Sequence, residues 1–167
     1  EDIFSFQDKV IGEIVAALAV NLTNGEIANL GQKETENPQA YDFVLQGMAH
    51  LLQDTEEETF NAIALFEKAI EIDPNYGRAY AGLAAANLRI VLSFWGSSAG
   101  VGWAHAWERL NVNLAKAMRA PTSLAYAVSA QLLVQQGRYD EAYDEVTRAM
   151  ALAPNEPDNH ISKAKIL

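Results

Sequence analysis

Cysteine is absent from the 167 residues of the sequence. A disulfide scaffold and a metal site built on thiolates are therefore excluded. The sequence also lacks an apolar run long enough to cross a bilayer, and no basic stretch followed by an apolar one opens the chain. We expect no membrane insertion. Because the chain starts on Glu1 and stops at Leu167 within a helical pattern, we interpret it as an excised piece of a longer protein.

Positive charge is scarce as well. The sequence has 12 Lys and Arg against 22 Asp and Glu, which gives a formal net charge of −10. Nucleic acid is bound by clustered Lys and Arg, so this balance argues against a nucleic-acid partner. It also disfavours an anionic membrane surface. A partner is expected to be neutral or basic where it touches the chain.

A repeated helix ending is what the sequence does contain. Half of the residues are hydrophobic, and runs of Val, Ile and Thr are few, which favours helix over strand. Three segments then end alike, with a small residue, an apolar step and a proline: Phe66–Pro74, Leu114–Pro121 and Val146–Pro154. Proline lacks the N–H and clashes with the preceding turn, so it closes each helix.

Upstream of each proline, aromatic and small residues recur at the spacing of the tetratricopeptide repeat, or TPR. The matching residues are Phe43, Gly47, Ala62, Phe66, Ala69 and Pro74 in the first unit; Tyr80, Leu83, Ala84, Leu114, Ala117 and Pro121 in the second; and Tyr126, Ala130, Gly137, Tyr139, Ala142, Val146, Ala149 and Pro154 in the third. Small residues let two helices approach closely, and we expect them to be buried. The alternative is a generic helical bundle with alanine-rich seams.

The resemblance to TPR proteins implies an all-α fold of antiparallel helix hairpins, stacked as a right-handed TPR superhelix (α-α superhelix) with about seven to nine helices. The predicted repeat helices are 38–53, 56–73, 76–93, 103–119, 122–136, 138–152 and 156–167.

Two parts of the chain are distinguished. Residues 1–37 are predicted to be an N-terminal amphipathic helix, over Ile3–Leu22, and a polar linker from the preceding domain. Residues 38–167 are predicted to be the TPR array, with about three full repeats and the first helix of a fourth. The second helix of that fourth hairpin is missing.

Several stretches resemble one group of TPR proteins in particular. Asp2–Asp8 and Glu36–Gly47 look like the junction ahead of the repeats in bacterial class III adenylate/guanylate cyclase-like proteins. Phe66–Pro74 followed by Ala79–Ala84 is similar to the repeats of that family, as is the long insertion in the second unit. In that family a cyclase domain and a small α/β module precede the TPRs. The cyclase's catalytic residues belong to that other domain, so the resemblance assigns none to this chain.

The resemblance implies a non-catalytic protein–protein interaction and regulatory module of a bacterial adenylate cyclase-like signalling protein. It implies a cytoplasmic location, with the periplasmic side as the alternative. Two other functions stay open. In the first, the array is a structural spacer or oligomerisation scaffold whose groove is filled by its own N-terminal helix. In the second, it is the TPR tail of a transcription regulator.

No catalytic chemistry is predicted. The three histidines, His50, His105 and His160, lie far apart and lack zinc-ligand spacing. No glycine-rich phosphate loop follows a strand, and no nucleophile has a base beside it. We therefore predict no catalytic residue, no metal and no cofactor. We interpret Glu56–Glu58 as a solvated first helical turn, and Asp140, Glu141, Asp144 and Glu145 as outward-facing.

TPR arrays bind partners along a concave face, lined by the first helix of each hairpin. The residues predicted to line it, here called the candidate face, are Tyr41, Val44, Met48, Leu51, Arg78, Ala81, Ala85, Leu88, Arg89, Leu124, Ala127, Gln131 and Val134. TPRs that grip a C-terminal carboxylate need paired Lys and Asn at these places. Here they are mostly apolar or small, which favours an apolar helix or an extended segment. Arg78 and Arg89 remain able to take one acidic group.

A second candidate contact is the insertion Ser93–Trp103, which carries Phe94, Trp95 and Trp103 among Gly and Ser. Long loops are often functional, and aromatic side chains anchor interfaces. The alternative is that these rings cap the neighbouring repeat.

Apolar residues at the two ends of the array suggest a homodimer. Pairing of one such end with a second copy would cover it. The residues concerned are Ile3, Phe4, Val10, Ile11, Ile14 and Leu18 at one end, and Ile161, Ala164, Ile166 and Leu167 at the other. The rival arrangement is a monomer in which Ile3–Leu22 docks on the first hairpin.

Overall fold

The computed structural model describes residues 34–95 and 102–154, together with residues 3, 5–7, 9, 10, 13 and 163. Within the two long ranges the chain forms α-helices and no strand. These helices are α1 (Pro38–Leu51), α2 (Glu56–Ile72), α3 (Gly77–Ser93), α4 (Trp103–Ala117), α5 (Ser123–Gln135) and α6 (Tyr139–Leu152). The prediction of an all-α helical repeat is confirmed, and the ends of these helices lie within about two residues of the predicted ones, the usual uncertainty of a helix boundary. The predicted helix 156–167 lies outside the described residues except for Lys163.

Helix starts follow from the capping residues in the sequence. The Asn37 side chain accepts hydrogen bonds from the backbone N–H groups of Gln39 (3.0 Å) and Ala40 (3.2 Å), and Pro38 opens α1. Thr55 accepts from the N–H of Glu58 at 3.3 Å at the start of α2. Such side chains satisfy N–H groups that have no partner inside the helix, so they fix where the helix begins.

The helices pack as hairpins along the chain. α1 packs on α2, α3 on α4 and α5 on α6, while α2 also contacts α3. The first helices of the hairpins meet as well, since α3 contacts both α1 and α5. The first helices therefore lie side by side and form one layer, which is what a binding face built from them requires.

The small residues of the repeat lie between these helices, as predicted. Gly47 is buried, and the alanines at the other crossing positions are at most 1% exposed. They are Ala62, Ala69, Ala84, Ala117, Ala130, Ala142 and Ala149. Only side chains of this size allow the backbones to approach so closely.

The expectation that Glu145 faces outward is wrong, because Glu145 is only 9% exposed. Glu145 lies three residues after Ala142 and four before Ala149, so all three share one face of α6. Oε1 of Glu145 accepts a hydrogen bond from Nη1 of Arg148 at 2.6 Å. Asp140, Glu141 and Asp144 are exposed, as expected.

Candidate protein-binding face

The candidate face divides into buried and accessible positions. Buried members are Val44, Leu51, Ala81 and Leu88. Half-buried or exposed members are Tyr41, Met48, Arg78, Ala85, Arg89, Leu124, Ala127, Gln131 and Val134. The first group belongs to the hydrophobic clusters between neighbouring helices, for example Ala81 with Ala117 and Ala125. Close packing of the first helices thus removes these four side chains from any partner's reach in this structure.

Helix α5 contributes most of the accessible apolar positions. Its sequence is apolar on nearly all sides, and Ala125, Val128, Ala130 and Leu132 are buried against its neighbours. The half-buried Leu124, Ala127 and Val134 remain, with the exposed Gln131 among them. Since these four recur at helical spacing, they form one strip along α5.

Both arginines of the candidate face already have acidic partners within the chain. Nη1 of Arg78 lies 3.4 Å from Oε2 of Glu34, and Nε of Arg89 lies 3.2 Å from Oδ1 of Asp54. Arg89 also donates to the carbonyl oxygen of Leu51 at the end of α1. Asp54 has a φ of 51° in the turn after α1. Arg89 therefore ties α3 to this turn, and its role is structural.

Two buried polar atoms lie at the start of α3, and no pattern in the sequence indicates them. Tyr76 is 0% exposed, and its hydroxyl has no hydrogen-bond partner within the described residues. Burial raises the pKa of the Tyr76 hydroxyl, and the negative charge of Glu34 raises it further. Nε of Arg78 is also buried, and it has no hydrogen-bond partner among the residues that the structure describes. The sequence Asp73–Pro74–Asn75 marks the boundary between two helices. It does not indicate that residues far earlier in the chain, such as Glu34, contact this place.

The segment before the array reaches this same end of the candidate face. Oγ1 of Thr35 donates to Oδ2 of Asp73 at 2.6 Å, and Thr35 is 5% exposed. Nε2 of Gln7 donates to the hydroxyl oxygen of Tyr41 at 3.1 Å. The chain's own preceding residues thus lie against the first positions of α1 and α3.

Of the three aromatic residues predicted in the insertion, Phe94 and Trp103 are exposed and Trp95 is half-buried. The Trp103 ring stacks on Trp107 with centroids 5.6 Å apart and an interplanar angle of 11°, and Trp103 is 51% exposed. Phe94 ends α3 in the left-handed region, with a φ of 55°. Residues 96–101 of the insertion lie outside the described residues. Trp103 therefore extends the aromatic surface of Trp107 towards solvent.

The titratable groups do not converge on a metal site in the ranges that the structure describes. Those ranges contain no cluster of three His, Asp or Glu residues able to hold an ion. His50 of α1 instead contacts the carboxylate of Glu58 on α2. None of the described helices is both long enough and apolar enough to cross a membrane.

Comparison with known proteins agrees with this repeat architecture. The sequence model of the family described as "Tetratricopeptide repeat" matches residues 46–76 and 124–156. These ranges cover parts of the first and third hairpins. No solved structure matches the chain.

A curated relative from Rhizobium meliloti (strain 1021) carries the name "Putative adenylate cyclase 3". It is 34% identical over 95 residues, which are 57% of this chain. The matched region spans only 16% of the relative's length.

Proposed function

Because this chain is built of tetratricopeptide repeats, we propose that it is a protein-interaction module that regulates an adenylate cyclase-like signalling protein. The binding part rests on the repeat itself, since TPRs are binding modules rather than catalysts. The cyclase part rests on the name of the relative and on the resemblance of Glu36–Gly47 and Phe66–Pro74 to cyclase-associated repeats. The chain matches only a small part of that relative. Cyclase activity is therefore proposed for a longer parent protein and not for this chain.

The strip on α5 is the observation that supports a binding role most directly. Leu124, Ala127 and Val134 are apolar and half-buried, and Gln131 among them is exposed. A strip of apolar side chains beside one amide suits an apolar helix, or an extended segment, that lies in a groove. Ala85 of α3 and Met48 of α1 extend accessible positions to the neighbouring first helices.

The regulatory part can be tested in the full-length parent by following cyclic AMP formation. A bulky charge at Ala127 would block the strip, so Ala127→Arg should change the activity or its control. Thr147→Arg is the matched control, because Thr147 is exposed on α6. This helix is the second of its hairpin and lies outside the layer of first helices. Equal cyclase behaviour of both variants and wild type, or a parent without cyclase activity, would remove the regulatory role while leaving the binding role.

The structural-spacer function has one observation in its favour. Gln7, Glu34 and Thr35 contact Tyr41, Arg78 and Asp73, so the chain's own N-terminal part lies at one end of the candidate face. These contacts involve α1 and the start of α3, whereas the α5 strip is further along the array. Internal contacts and partner binding are therefore compatible, on different parts of the face.

A further inference from the structure

The most exposed large apolar side chains of the repeat array lie at one edge of it. The first helices contact one another side by side, and each is followed by a turn and a returning second helix, so the turns after α1, α3 and α5 share an edge, here called the turn edge. Each of these side chains ends a first helix or begins a second one. Within the described part of the array, those more than half exposed are Leu52 (79%), Phe94 (73%), Tyr139 (54%) and Trp103 (51%).

The backbone of Phe94 indicates that its exposure has a purpose. Its φ of 55° lies in the left-handed region, which glycine adopts without strain and a bulky residue rarely occupies. Glycine is also the usual residue where a helix ends in this conformation. Because the Phe94 side chain is largely exposed, its burial offsets little of the strain. Strained residues of this kind occur mainly at functional sites.

Arg89 attaches the first of these turns to α3. Its guanidinium donates to the carbonyl oxygen of Leu51, and its Nε lies 3.2 Å from Oδ1 of Asp54. Leu52 lies within the turn that these two contacts fix. Phe94 follows Arg89 by five residues, or about 7.5 Å along the helix axis. The end of α1 that carries Leu52 is thereby held against the helix whose end carries Phe94.

The first turn of the edge is acidic. Residues 50–58 contain no Lys or Arg and four carboxylates, those of Asp54, Glu56, Glu57 and Glu58. Arg89 pairs with Asp54, and His50 contacts Glu58. These two contacts leave an excess of negative charge around Leu52.

The other two turns are acidic in the same way. Glu108 is exposed on the first half of α4, which begins at Trp103. Asp140 is exposed next to Tyr139, and Glu141 accepts a hydrogen bond from Nε of Arg138 at 2.6 Å. Because the chain as a whole carries a formal net charge of −10, a basic segment complements this edge. An anionic lipid surface does not.

We propose that the turn edge is a second docking surface, and that it binds an extended segment of a partner protein with both apolar and basic side chains. Its apolar side chains pack against Leu52, Phe94 and Trp103, and its Lys or Arg side chains lie beside the carboxylates of the turns. Aromatic residues anchor interfaces, and the face of a tryptophan also attracts a cation. Neighbouring helices are about 10 Å apart, so three turns span about 20 Å, the length of about six or seven extended residues. This surface uses no residue of the α5 strip.

The test uses the full chain and a synthetic peptide of alternating leucine and lysine, about seven residues long. Calorimetry measures its affinity, and ¹⁵N NMR follows the indole N–H of Trp103 and the amide of Leu52, both of which should shift. Leu52→Ser should weaken binding about ten-fold because it removes an anchor. Leu45→Ser is the matched control and should bind as wild type does, since Leu45 is exposed on the same helix about two turns from the edge.

Phe94→Gly separates binding from stability. Glycine removes the backbone strain, so this variant should melt at a temperature no lower than that of wild type. It should nevertheless bind the peptide about ten-fold more weakly. Undiminished binding by Phe94→Gly overturns the proposal, whatever its melting temperature.

The chemistry of the partner is tested by changing the peptide. A leucine–glutamate peptide and a serine–lysine peptide should each bind at least about ten-fold more weakly than the leucine–lysine peptide. Equal binding of the leucine–lysine and leucine–glutamate peptides, equal binding by Leu52→Ser and Leu45→Ser, or unmoved Leu52 and Trp103 signals would overturn the proposal. So would Leu52-dependent sedimentation with phosphatidylcholine vesicles in the absence of peptide binding, which would assign the edge to a lipid surface. Ala127→Arg blocks the α5 strip and should leave this binding unchanged, so failure of one surface is distinguished from failure of the other.

Discussion

The ring of Phe66 occupies the space that a side chain at Gly82 would take. A Cβ placed on Gly82 would lie 2.6 Å from both Cε1 and Cζ of that ring. Gly47 stands in the same relation to Phe66, with a nearest approach of 2.6 Å. Phe66 of α2 thus fits between α1 and α3, and it needs a glycine on each of them. This one ring joins the first hairpin to the second.

Gly82→Ala is therefore expected to destabilise the protein. The new methyl group forces the fully buried Phe66 ring to shift, and overpacking of this kind costs about 1–3 kcal/mol. The gain in helix propensity, about 1 kcal/mol, reduces that cost, so the expected net loss is at most about 2 kcal/mol. Urea unfolding of the variant and wild type measures the difference. Gly102→Ala is the control, since a Cβ there meets nothing within 4 Å; a Gly82→Ala protein more stable than wild type would contradict the contact.

The same contact predicts coupling between the two positions. Phe66→Leu replaces the ring that blocks Gly82 with a shorter side chain. The double variant Phe66→Leu/Gly82→Ala should therefore lose less stability than the sum of the losses in the two single variants. A double-mutant cycle gives this difference as a coupling free energy. Strict additivity would mean that the ring and the glycine do not meet.

The small residue at the crossing of the third hairpin gives a further stability prediction. Ala142 is 0% exposed, and Ala142→Leu should cost about 1–3 kcal/mol because no space exists for the larger side chain. Ala151 is an exposed alanine of the same helix, so Ala151→Leu is its matched control. Equal melting temperatures for the two variants would contradict the register in which Ala142 packs.

The helices were predictable from sequence because their signals are local. Proline stops such as Pro74 and the spacing from Ala62 to Ala69 depend only on residues within one turn or two of each other. Gly82 was not identified, although it packs as closely as Gly47, because the TPR pattern places the small residue at Ala84. Its need for glycine arises only when α2 and α3 meet.

The candidate site was less predictable than the fold, for the same physical reason. The pattern of first helices gives the positions of the candidate face, but burial of Ala81 and Leu88 depends on how closely the helices pack. The contact between Glu34 and Arg78 joins residues 44 apart in sequence. The spacing of residues within one helix or one repeat cannot predict such a contact. Glu145 is different, since its spacing from Ala142 and Ala149 already marks a buried face.

The pH dependence of one carboxylate tests the pairing of α1 with α2. The His50 ring, and then the Asn61 side chain at 3.3 Å, hold the pKa of the Glu58 carboxyl below its ordinary value, against a smaller opposing effect of burial. Because the folded pKa lies below the unfolded one, of about 4.3, this contribution to stability is complete above the unfolded value. It is lost as the pH falls through the folded pKa.

Carbon-13 NMR titration of Glu58 measures this directly. In His50→Ala the pKa of Glu58 should rise towards its ordinary value, and Asn61→Ala should raise it less. His105→Ala, which removes an exposed histidine of α4, is the control. The pairing is wrong if Glu58 titrates at the same pH in wild type and in His50→Ala.

The purified chain is expected to form no cyclic nucleotide and to bind neither ATP nor GTP tightly. Its net charge of −10 repels polyphosphates, and the sequence contains no glycine-rich phosphate loop after a strand. Isothermal titration calorimetry with each nucleotide checks this. Saturable binding in the micromolar range would reopen an enzymatic function for this chain.

A partner segment is expected to bind along the first helices, and peptide selection followed by NMR mapping measures where it binds. Peptides are selected from a random displayed library against the full chain, and the strongest binder is titrated into ¹⁵N-labelled protein. Amide shifts are expected at Leu124, Ala127, Gln131 and Val134. Ala127→Arg should weaken binding about ten-fold, whereas Thr147→Arg should leave it unchanged. Shifts confined to α2, α4 and α6, together with undiminished binding by Ala127→Arg, would mean that the partner segment does not bind along the first helices.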